Sequence, residues 1–169
     1  MKTKRLVADA VLIALYTALS YVAIDIYVLR LSFSLFPIIV AGLRFGWADA
    51  MLVGAVGGFL NQYLKYGVGP TTLMWMLPGM VEGLIIGLYA QRKNFTLSLQ
   101  QTVGIVLVGG LAVTTLNTVA LYVDAKIYQY PDNLTFWSVV LRYVSSMVMT
   151  AVYTLITPRV VMLLRKNGV

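Results

Sequence analysis

Glu82 and Arg142 are the residues of this sequence best placed to do chemistry in an apolar setting. Both interrupt long hydrophobic runs, where a charge is costly unless it faces a partner or a polar cavity. Other polar and aromatic residues fall inside or at the edge of such runs: Asn61, Gln62, Lys65, Thr72, Trp75 and Asn117. The chain has no cysteine, so a thiolate nucleophile, a disulfide framework and an Fe–S cluster are excluded. It has no histidine, the commonest metal ligand and a frequent general base. The six acids, Asp9, Asp25, Asp49, Glu82, Asp124 and Asp132, are too scattered to form a catalytic dyad. No catalytic residue and no metal site is therefore assigned. Amides, an indole, a carboxylate and a guanidinium suit binding rather than bond-making.

The elements that carry these residues follow from composition. Of 169 residues, 60% are hydrophobic and 11% charged, far from the balance of a soluble domain or a disordered chain. A spanning helix takes about 20 apolar residues, so six spans use about 120 and leave no room for a large soluble domain. Continuous apolar runs argue against a membrane β-barrel, whose strands alternate. The expected fold is an all-α membrane protein, a six-transmembrane-helix bundle forming a single integral membrane domain over residues 1–169. The spans are placed at about Leu6–Tyr27, Ser34–Phe45, Ala48–Tyr66, Thr72–Ala90, Leu99–Val123 and Phe136–Leu164. The first has a basic start like a signal peptide, but it is too long and lacks a clean cleavage site, so it is kept as a span. The connection Asp124–Asn133 reads as a polar, aromatic loop. No inverted repeat of the secondary-transporter kind is visible.

The net charge of +7 orients the bundle. With the N-terminus inside, Lys2, Lys4, Arg5, Arg44, Arg92, Lys93, Arg159, Arg165 and Lys166 lie at cytoplasmic ends. Only Arg30, Lys65 and Lys126 lie outside, and Arg142 alone lies within a span. Nine against three satisfies the positive-inside bias and puts both termini in the cytoplasm. The basic charge then serves topology and anionic lipid heads, not nucleic acid.

Depth follows from the helical rise. Asn61, Gln62 and Lys65 fall in the outer third of span three. Trp75 is about one turn into span four and Glu82 about three turns; Asn117 and Arg142 are each about two turns from the outer surface. Four stripes result: Gly57/Asn61/Lys65, Trp75/Gly79/Glu82, Thr114/Asn117/Leu121/Asp124 and Arg142/Ser145/Ser146/Met149. All lie in the outer half, which predicts a polar cavity open to the outside for a water-soluble organic molecule. Each residue also has a structural reading. Asn61, Gln62 and Asn117 serve equally as interhelical hydrogen-bond glue. Glu82 and Arg142 could pair with each other, Lys65 could snorkel, and Trp75 could join Trp47 and Trp137 in an interfacial belt.

Two further features read as surface. Ala10, Ala14 and Ala18 form a row of small residues on span one, spaced to let another helix approach. Pro70-Thr-Thr72, after Gly67 and Gly69, reads as a capped entry to span four, either a plain turn or a lid over the cavity.

Together these features resemble the substrate-binding S component of energy-coupling factor (ECF) vitamin transporters. The resemblance rests on size, helix number, the alanine row, the stretch Leu29-Arg-Leu-Ser-Phe-Ser-Leu-Phe-Pro-Ile-Ile39, then Gly42-Leu-Arg-Phe-Gly46 and the glycine-rich third span. It covers roughly residues 2–89; beyond that the likeness is topological. It implies a multi-pass protein of the bacterial plasma membrane that binds one vitamin from outside. It implies partners too: a transmembrane T component, packing against Ala10, Ala14 and Ala18, and two ATPase subunits that use ATP and Mg. This chain would hold no cofactor and would not be an enzyme; it has no G-x-x-x-x-G-K-[ST] loop. Lys65 and Arg142 would suit a carboxylate, which favours pantothenate. Folate and a pyrimidine- or pyridoxine-type vitamin are the alternatives. A small autonomous secondary transporter, proton-coupled through Glu82, is the competing class.

Overall fold

The computed structural model describes residues 2–26, 29–129 and 134–166. Among these, six α-helices are joined by one 3-10 turn and one β-hairpin: α1 Lys2–Tyr21, β1 Ala23–Ile26, β2 Leu29–Ser32, α2 Phe36–Arg44, α3 Trp47–Tyr66, the 3-10 turn Met74–Met76, α4 Leu77–Arg92, α5 Leu99–Tyr128 and α6 Phe136–Lys166. Helix α5 and residues Phe136–Leu164 of α6 are long and apolar enough to cross a membrane by length and composition.

The expected first span, Leu6–Tyr27, is too long. Helix α1 stops at Tyr21, and the chain turns into an antiparallel hairpin that pairs Ala23 with Ser32 and Asp25 with Arg30. The β-branched, alternating Val22-Ala-Ile-Asp-Ile26 favours an extended chain over a helix. The expected second span is too short to be one. At nine residues α2 rises about 13 Å, less than half of a hydrocarbon core of about 30 Å. Instead it is a buried keel. Ile38, Val40 and Ala41 pack with Leu12, Tyr16, Phe45, Ala50 and Val53, while Ile39 and Leu43 pack with Ile86, Val106, Met149 and Tyr153. Pro37 sits in its first turn, where a missing N–H breaks no helical bond.

Helices α3 and α4 are joined along a glycine seam. A Cβ on Gly54 would overlap the Gly79 carbonyl, one on Gly83 would lie 2.5 Å from the carbonyl carbon of Ala50, and one on Gly87 would overlap the backbone of Trp47. Gly79, Gly83 and Gly87 are one helical turn apart, so the backbones meet along the length of α4. In lipid, side chains gain little from leaving the acyl chains, and close backbone packing of this kind supplies the adhesion.

At the end of the bundle holding the N-terminal turn of α1, Arg5 forms an ion pair with Asp49 and donates from Nη2 to the Phe45 carbonyl at 2.7 Å. Ser98 and Gln101 form a reciprocal capping box at the start of α5. The loop expected at 124–133 is half helix, since α5 continues through Asp124 to Tyr128; Tyr130, Pro131, Asp132 and Asn133 lie outside the described residues.

Candidate functional site

The other end of the bundle holds a cavity of about 800 Å³ between α3, α4, α5 and α6. All eight of the ligand-binding candidates line it: Asn61, Gln62, Lys65, Thr72, Trp75, Glu82, Asn117 and Arg142. The C-terminal turns of α3 supply the first three. The loop before the 3-10 turn supplies Thr72, the turn itself Trp75, and the second turn of α4 Glu82. Asn117 comes from α5 and Arg142 from the second turn of α6.

Their bonding separates them into two groups. Asn61 accepts from the Ser20 hydroxyl at 2.7 Å, and Lys65 Nζ donates to the Ser20 carbonyl at 2.7 Å while resting 4.8 Å from the Tyr21 ring. Both tie α3 to the end of α1, so Asn61 is glue and the Lys65 amine is engaged. Glu82 and Arg142 are different. Glu82 is 1% exposed and its Oε2 has no hydrogen-bond partner; the buried Nε of Arg142 has none either. No ion pair joins Glu82 and Arg142. Two buried polar atoms thus remain unsatisfied in one cavity, a condition a bound molecule can relieve.

Thr72 does not cap α4. Its Oγ1 accepts from the Gly69 amide at 2.8 Å and its amide donates to the Gly69 carbonyl at 3.1 Å, which closes the loop on itself; α4 has no side-chain cap. Thr71, 2% exposed, donates to Asp124 at 2.5 Å and fastens this loop to α5. Gly57, placed in a lining stripe by sequence, lies instead against the Tyr16 ring, where a Cβ would come within 2.7 Å of Cδ1. Trp47 and Trp137 are exposed at the first turns of α3 and α6 and do not line the cavity.

The sequence reading missed Tyr153, Ser32 and Ser34. Tyr153 continues the Met149 face of α6 by one turn, lines the cavity and donates to the Ser32 carbonyl at 2.5 Å. That spacing could have found it; Ser32 falls in the hairpin, which hydropathy reads as helix and loop, and Ser34 stands at the start of the expected second span. On the outside of the bundle Ala10, Ala14 and Ala18 are all exposed, beside Leu6, Val7 and Val11, which are 65%, 57% and 60% exposed.

Comparisons with known proteins agree with this architecture. Residues 4–162 match the family model described as "ECF transporter, substrate-specific component". A UPF0397 protein of Lactobacillus johnsonii is 36% identical over 88 residues, which are 50% of this chain and 46% of that protein; the chain thus spans about half the length of this curated relative. A solved chain described as the S component of a bacterial ECF transporter shares the fold, with a TM-score of 0.65 at 19% identity over 99% of this chain and 96% of that one.

Proposed function

The chain belongs to the substrate-specific component family of ECF transporters, and from that membership we propose that its cavity binds an anionic water-soluble vitamin, pantothenate first, for ATP-driven import. The observation that carries this reading is the convergence of eight polar and aromatic side chains from separate elements on one cavity at one end of the bundle. Arg142 favours an anion, since its Nε has no partner and Glu82 does not neutralise it as an ion pair. Lys65 adds positive potential at the mouth while it holds α1.

In this reading the helices form a multi-pass protein of the bacterial plasma membrane, with both termini cytoplasmic. The exposed face of α1 with Ala10, Ala14 and Ala18 receives the transmembrane T component. ATP and Mg act in two partner ATPases. This chain contributes recognition: a cavity with fixed polar groups on rigid helices needs little reorganisation to bind.

The test pairs calorimetry with uptake. Pantothenate titrates into the purified protein, and Ala14→Trp leaves that titration unchanged but abolishes uptake in cells that supply the partner subunits. Loss of binding in the Trp variant would remove α1 from the docking role, and no heat with pantothenate would remove that vitamin.

A further inference from the structure

Arg142 is half of the polar arrangement in the cavity, and the other half is Glu82 at a different depth. Glu82 Cγ lies under α5: a Cβ on Gly109 would be 3.3 Å from it. The next residue, Gly110, faces Ser146 and Thr150 of α6, whose hydroxyls a Cβ would meet at 3.2 and 3.1 Å. Ser146 and Thr150 are one and two turns beyond Arg142, so Glu82 sits about 6–12 Å further into the bundle than Arg142. Val106 and Tyr153 complete the lining at this depth.

Glu82 cannot move away from the cavity to find water. Its neighbour Gly83 is pressed on the backbone of Ala50, and Ile86, one turn on, is fully buried. Helix α4 is thus fixed by the seam, and the carboxyl is held at the floor with Oε2 unpartnered. Such an acceptor calls for a hydrogen-bond donor.

Resting on the reading of this cavity as a vitamin site, we infer that the ligand is bound lengthwise, with an anionic or acceptor group at Arg142 and a hydroxyl or N–H donor at Glu82 on the floor. The site therefore selects molecules that carry a donor remote from their anion, and Glu82 sets both orientation and specificity. A carboxylate on a plain apolar tail leaves Glu82 unsatisfied and is rejected, because a buried polar group without its partner disfavours the complex.

The test uses the full chain in detergent, incubated with an equimolar mixture of pantothenate, folate, pyridoxine, thiamine, riboflavin and biotin, washed, and read by mass spectrometry. Wild type retains one vitamin; Glu82→Leu, similar in volume and without an acceptor, retains less than a tenth as much at an unchanged melting temperature. Glu82→Gln, which keeps one acceptor oxygen, falls between them and decides the matter if the Leu variant does not fold. An analogue of the retained vitamin with its remote donor deleted binds wild type at least tenfold more weakly and the Leu variant no more weakly than the parent, which separates contact from a structural effect.

Equal retention by wild type and both variants overturns the inference and leaves the vitamin-binding reading intact. Retention of folate or biotin, lost in Glu82→Leu, upholds the inference and overturns the pantothenate assignment, whereas retention of thiamine, riboflavin or pyridoxine, which carry no carboxylate, overturns both. Retention of none of the six by wild type overturns both.

Discussion

One face of α4 meets α3 with no side chain between the backbones, whereas the adjacent face opens on a cavity of about 800 Å³. Gly83 and Glu82, neighbours in sequence, belong to these two regions. On the seam a Cβ added to Gly54, Gly79, Gly83 or Gly87 would meet backbone at 3.1 Å or less; in the cavity the buried Glu82 Oε2 and Arg142 Nε have no hydrogen-bond partner. The contrast explains how a small bundle can hold an open site. Lipid does not drive helices together as water does, so a helix facing a cavity needs its adhesion elsewhere. Here the seam and the buried α2 hold α4 in place, and the cavity walls need not touch.

The largest expected effect comes from breaking the seam. Gly83→Ala puts a Cβ 2.5 Å from the Ala50 backbone, and because backbone cannot rotate aside, α3 and α4 must separate. We expect a loss of about 1–3 kcal/mol, the range for overpacking, seen as a lower melting temperature by intrinsic tryptophan fluorescence. Gly83→Leu should leave no monodisperse folded protein. An unchanged melt for the alanine variant would mean that the seam is not where the bundle is held.

On the other side of the comparison, Arg142→Ala should act on binding and leave stability alone. Its Nε makes no internal hydrogen bond, so truncation breaks none there. An anionic ligand should bind more weakly by about 1–3 kcal/mol, roughly 5- to 150-fold, measured by calorimetry. A lower melting temperature at unchanged affinity would place Arg142 with the seam residues, as part of the scaffold.

The two regions were unequally legible in sequence. The cavity was legible because polar residues inside apolar runs are rare and helical spacing puts them on shared faces: Asn61 and Lys65, then Arg142, Ser145 and Ser146, were found that way. Their bonding was not legible, since the partners of Asn61 and Lys65 are Ser20 and its carbonyl, more than 40 residues away. The seam was legible only as composition. Gly54 and Gly58 read as a glycine-rich span, but the meeting of Gly54 with Gly79, of Ala50 with Gly83 and of Trp47 with Gly87 depends on helix register across a loop. The hairpin and the nine-residue α2 were misjudged for a shared reason. Hydropathy reads the apolar runs at residues 6–27 and 34–45 alike whether the chain meets lipid or other helices, and it does not show where a helix ends.

The smallest expected effect lies where the two regions meet, at the loop between α3 and the 3-10 turn. It begins at Gly67, whose φ of +76° suits glycine, turns tightly through the Gly69–Thr72 pair, and is fastened to α5 by the 2.5 Å bond from Thr71 to Asp124. Gly67, Val68, Gly69, Thr71 and Thr72 all line the cavity, so this bond holds part of the cover of the site. Thr71→Val keeps shape and removes the donor. A hydrogen bond to a carboxylate contributes at least about 1.5 kcal/mol net, which corresponds to about tenfold faster ligand dissociation if the loop must lift before release. Thr71→Ser, which retains the hydroxyl, should release at the wild-type rate. The measurement is a displacement experiment followed by Trp75 fluorescence with Trp47 and Trp137 replaced. A Val variant that melts lower but releases ligand at the wild-type rate would assign the bond to the scaffold, extending the region of tight packing to the edge of the cavity. Faster release at an unchanged melt would assign it to the site.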